Sequence, residues 1–143
     1  MTLVDTVKQD LATAMKAGER DRVGALRLVL SELQKGAKEG DADEQAILRR
    51  ERKRRLESAT AFRAAGRSEL AEGEEAEARI IAGYLPAELP DAELAAIVRE
   101  AMTETGASSP QDMGQVMKAA MPKVAGRADG KRVSALVRAE LAA

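Results

Sequence analysis

The side chains best placed to do chemistry lie in one stretch, residues 121–133, reading MPKVAGRADGKRV. Lys123, Arg127, Lys131 and Arg132 gather around Asp129, a residue type that caps helix starts. Pro122 is expected to end one helix, Gly126 to permit a tight turn, and Asp129 to open the next helix. A helix start carries free N–H groups and a positive dipole end, so with four cations nearby it suits a phosphate group. A capped interhelical turn with solvated cations fits the same residues equally well. No Walker sequence accompanies the loop, which argues against a nucleoside triphosphate.

Two further charge clusters compete with it. Arg49, Arg50, Arg52, Lys53, Arg54 and Arg55 are interrupted only by Glu51. At about 100° per residue, Arg49, Arg50, Lys53 and Arg54 point away from the apolar stripe Leu48, Leu56, Ala59 and Phe62, while Arg52 and Arg55 lie beside it. The outward four read as a solvated face or a second phosphate surface. Glu74 and Glu77 share a face with Leu70, Ile81 and Tyr84, where carboxylates need partners. An antiparallel hairpin about Gly66 sets position 55 near 77, so an Arg55–Glu77 bridge is expected. Paired carboxylates also serve acid–base catalysis, but no nucleophile, metal-ligand set or phosphate loop accompanies these two.

Composition narrows the chemistry. The chain has no Cys and no His, which removes disulfides, thiolate zinc, iron–sulfur ligation, Cys nucleophiles and the commonest general base. No catalytic residue, metal site or cofactor is therefore expected. One Phe, one Tyr and no Trp leave little for stacking on bases and imply an aliphatic core. A net charge of −1 conceals strong segregation, +6 over residues 49–67 and −8 over 68–105. No stretch approaches the roughly 20 apolar residues of a membrane span, so a cytoplasmic protein without membrane contact is expected.

Seven helices must position these groups. Thr2 with Asp5 opens the first, which Gly18 stops, and the second runs from about Glu19 to Lys38. Asp41 with Glu44 opens the third, ending at Gly66; Ser68 caps the fourth, ending at Pro86. Prolines 86 and 90 read as a break. Beyond it come a helix running to Gly106, one capped by Ser109 and ending at Pro122, and one capped by Asp129. The expected fold is all-α, a helical N-terminal domain at 1–88 and a three-helix domain at 89–143.

Several stretches resemble one family. Residues 112–117 (DMGQVM), 121–124 (MPKV) and 126–131 (GRADGK) are similar to the signature of the GatB/YqeY family. Ala65-Gly-Arg and Tyr84-Leu-Pro agree with it upstream. The resemblance implies a stand-alone YqeY-like protein whose C-terminal unit is similar to the tail of the tRNA-dependent amidotransferase B subunit, which contacts tRNA. It implies tRNA contact here through Lys123, Arg127 and Lys131, and Arg132 beside them is expected to bind with them on its charge. It carries no catalysis, because the ATP-dependent and glutamine-hydrolysing domains of that enzyme have no counterpart in this chain. The expected function is a non-catalytic accessory protein that binds tRNA near tRNA-dependent amidation. The alternatives are a helical interaction module for an amidotransferase or aminoacyl-tRNA synthetase subunit and, last, a carbon–nitrogen ligase with glutamine as amido-N-donor.

Overall fold

A computed structural model describes residues 1–41 and 43–143. Among the described residues there are seven α-helices and no strand: α1 Leu3–Ala17, α2 Arg20–Lys38, α3 Glu44–Ala64, α4 Ser68–Ala82, α5 Asp91–Thr105, α6 Met113–Val124 and α7 Gly130–Ala142. The fold is all-α, as periodicity indicates. Two compact units divide the chain, Met1–Pro86 and Ala87–Ala143.

In the first unit, Val7, Ala14, Leu26, Val29, Leu33, Ile47, Leu48 and Ile81 form the core. Ala59, Ala71 and Ala78 are also buried; their small side chains suit the close α3–α4 approach. Gly36 leaves room where α2 meets α3: a Cβ there would push aside the end of the Ile47 side chain. The Thr2–Asp5 capping box is present, and Gly18 closes α1 in the left-handed region at φ 71°. Glu44 of α3 reaches back to the free end of α1, accepting from the backbone N–H of Leu3 at 3.3 Å and Val4 at 3.1 Å. The Tyr84 hydroxyl donates to Asp10 Oδ2 at 2.5 Å, tying the turn after α4 to α1. Burial, then the bond to Asp10, pushes the Tyr84 hydroxyl well above the usual phenol range.

The second unit has an apolar core of Leu89, Leu94, Val98, Ala101, Val116, Ala120, Val124, Ala128, Val133, Val137 and Leu141. Arg99 joins α5 to Glu140 of α7 at 3.4 Å. Among the described residues, no helix is long and apolar enough to cross a membrane.

Several expected helix ends differ from the structure. The cap of α3 is Asp43, which accepts from Ala46 N–H at 2.9 Å; Asp41 instead pairs with Arg50 at 2.7 Å. Arg67, not Ser68, precedes α4, and α4 stops at Ala82, so Tyr84 and Leu85 pack from the turn beyond it. Pro110–Asp112 forms a separate 3-10 turn before α6. Pro122 does not end α6: the helix continues to buried Val124 and closes at Ala125, φ 51°. A last-turn proline forfeits a single ladder bond, and burying Val124 outweighs that loss.

Candidate nucleic-acid interface

The loop from Ala125 to Asp129 is built as the sequence indicates where it meets α7. Gly126 adopts φ 77°, and the Asp129 carboxylate accepts from Lys131 N–H at 3.0 Å. Asp129 thus occupies part of the N–H set that an anion would seek.

The four cations of this stretch are not equivalent. The Lys123 ammonium donates to Glu104 at 2.8 Å and Glu100 at 3.0 Å, both on α5. Those bonds hold it above the usual lysine range, Glu104 contributing most. Arg132 is paired with Asp91 at the start of α5, at 2.7 Å. The carboxylates gripping Lys123 and Arg132 are thus nine to thirteen residues apart on one helix, about 14 to 20 Å along its axis. Lys123 stands apart from the other three.

Arg127 is held differently. Its Nε donates to the carbonyl of Ala87 at 2.9 Å, and its own carbonyl accepts from Leu89 N–H at 2.8 Å. This double tie fixes the backbone and the root of the guanidinium. Its two terminal nitrogens have no hydrogen bond or ion pair among the described residues. Lys131 is exposed, and its ammonium also has no ion pair among them. Arg127 and Lys131 therefore flank the α7 start as available cations, with Arg132 beside them already paired.

The basic block of α3 divides in the same way. Arg50 is paired with Asp41, and Arg54 with Glu51 at 2.7 Å. Arg55 faces three carboxylates: Glu77 at 3.1 Å, Glu74 at 3.4 Å and Glu51 at 3.6 Å. The expected Arg55–Glu77 bridge is present, inside a larger cluster. Glu51 is 3% exposed, the one buried charged residue among those described. In the linear sequence it reads only as an interruption in a basic run. Its signal was legible, because Glu51, Arg55 and Phe62 all fall within the arc bounded by Ile47, Leu48 and Ala59. Leu56 falls outside that arc and is 46% exposed, which corrects its place on the apolar stripe. Leu70, four residues past the Gly66 turn, is 41% exposed.

No group of three or more His, Cys, Asp or Glu among the described residues has the arrangement to hold a metal ion. What the site offers is fixed positive charge beside a helix start, within a small, all-helical unit. The family to which such a chain belongs is shown by its sequence: the model for Yqey-like proteins matches residues 4–141. The chain belongs to that family. No curated protein matches it.

Proposed function

We propose that this protein is a non-catalytic accessory protein that binds tRNA through phosphate contacts of its C-terminal unit, in the context of tRNA-dependent amidation. The observation that carries the reading is Arg127. A guanidinium anchored through Nε, with both terminal nitrogens uncommitted among the described residues, is a pre-organised fork for a phosphate oxygen pair. Lys131 adds a second charge at the same helix start, while Lys123 is withdrawn from the interface by its two glutamates. With one Phe and one Tyr in the chain, recognition rests on backbone shape and charge rather than stacking. The resemblance of residues 112–131 to the GatB/YqeY signature favours tRNA as the RNA.

The test is binding of the purified protein to total tRNA and to duplex DNA across a salt series. Affinity for tRNA that falls log-linearly with salt supports the reading; no salt-dependent affinity removes it. A helical interaction module is the second reading, favoured by the exposure of Leu56 and Leu70 on the α3–α4 hairpin. Its partner would be an amidotransferase or aminoacyl-tRNA synthetase subunit, captured through those leucines irrespective of Arg127.

A further inference from the structure

The ion cluster of the first unit contains an unmet demand. Two of its atoms, Arg55 Nε and Glu77 Oε2, are buried and have no hydrogen-bond partner. Glu77 Oε2 does lie 3.1 Å from Arg55 Nη1, so the two charges attract, but the atoms are not aligned as a hydrogen bond. The cause is crowding at one end of the guanidinium. Glu74 and Glu77 converge on Nη1 and Glu51 on Nη2, and none of the three is placed to accept from Nε.

A cavity of about 10 Å³ lies at the same place, where α2, α3 and α4 meet. Arg55, Glu77 and Glu51 supply its polar wall; Ala25, Val29 and Ile81 supply the apolar one. That volume is near the minimum for a single water and too small for anything larger. The chemistry of the wall narrows the occupant further. An anion is repelled by Glu77 and Glu51, and a cation finds a donor, not an acceptor, at Arg55 Nε. The occupant must accept from Nε and donate to Oε2 at once.

We propose that this cavity is a binding site for one internal water, which accepts from Arg55 Nε and donates to Glu77 Oε2. The water is a structural member of the cluster. It satisfies both orphaned atoms and links α3 to α4 at the point where α2 closes over them.

Water-nucleus magnetic relaxation dispersion on the full chain tests it, together with an atomic-resolution crystal structure to locate the molecule. The expected result is a long-lived internal water, with density at about 2.7 to 3.2 Å from both atoms. Ala25→Val, which fills the apolar wall, should abolish that signal. The proposal is overturned if the crystal structure shows the cavity empty, or Nε and Oε2 bonded directly to each other. A folded Ala25→Val variant that keeps the long-lived signal also overturns it. Should that variant fail to fold, the wild-type density decides alone.

Discussion

The α3–α4 hairpin and the loop before α7 both present a dense run of cations, and each spends part of that run on carboxylates, but the loop anchors one of its cations to a backbone carbonyl instead. On the hairpin, Arg50, Arg54 and Arg55 meet carboxylates, and one of these, Glu51, is buried. Around the loop, Lys123 and Arg132 are likewise paired, but Arg127 is anchored to a backbone carbonyl that neutralises nothing. A carboxylate partner cancels a cation's field, whereas a carbonyl partner fixes its position and leaves its charge. Linear charge density therefore measures how many cations a segment has, and the acids brought by other helices decide how many remain available.

The largest expected effect breaks the hairpin side of the comparison. Glu51→Ala removes the buried carboxylate between Arg54 and Arg55, and should destabilise the first unit by about 2 kcal/mol in denaturant unfolding, since Arg55 keeps Glu74 and Glu77 and Arg54 is exposed. Glu77→Ala should cost about 1 to 3 kcal/mol, toward the lower end, because Glu77 is 36% exposed and Glu74 remains beside Arg55. If both variants unfold with the wild type, the hairpin cations are surface charges after all and the distinction drawn here collapses.

The loop side is tested by salt dependence. Replacing Arg127 and Lys131 together with Ala should flatten the log–log salt slope for tRNA by about 1.4 to 1.8, similarly for different tRNAs. Replacing Arg49 and Lys53 is the matched control, since Arg50 and Arg54 are already paired. A control that loses more tRNA affinity than the loop variant places the interface on α3.

How much of this was legible in the sequence depends on whether the deciding partner was local. The helices were legible because apolar residues recur at helical spacing and because Gly18, Gly66 and Gly106 stop three of them in the left-handed conformation. Arg55–Glu77 was legible because a hairpin about Gly66 is simple geometry. The glutamates that spend Lys123 were not, since they sit 19 and 23 residues upstream on another helix. Nor was the Tyr84–Asp10 bond, which joins residues 74 apart. The extension of α6 past Pro122 was hidden for a related reason: local propensity opposes it, and the burial of Val124 decides it.

Acid sensitivity offers a smaller effect, confined to the second unit. Asp112 accepts from the backbone N–H groups of Ser108 at 2.9 Å and Ser109 at 3.1 Å, which hold its carboxyl below the usual range. A depressed folded pKa stabilises above the unfolded value, about 3.9, and that contribution is lost as pH falls through the folded value. Asp112→Asn should therefore remove part of the acid-induced loss of stability below about pH 4 and leave its pH dependence near neutrality unchanged. Thermal unfolding of both proteins across that range measures it.

The smallest expected effect is the sharpest for the comparison. Lys123 belongs to the same basic loop as Arg127 and carries the same formal charge, so a count of cations assigns the two equal weight in RNA binding. Their partners do not. Lys123 would have to leave Glu100 and Glu104 to reach a phosphate, exchanging two charge-assisted bonds for one, whereas Arg127 can receive a phosphate without releasing Ala87. Lys123 also lies well along α5 from the Asp91 end, where Arg127, Lys131 and Arg132 gather. Lys123→Ala should therefore change the salt slope by less than about half the 0.7 to 0.9 expected for one lost phosphate contact, and Arg127→Ala by the full amount. Equal slopes for the two single variants would mean that loop charge, not its availability, governs binding.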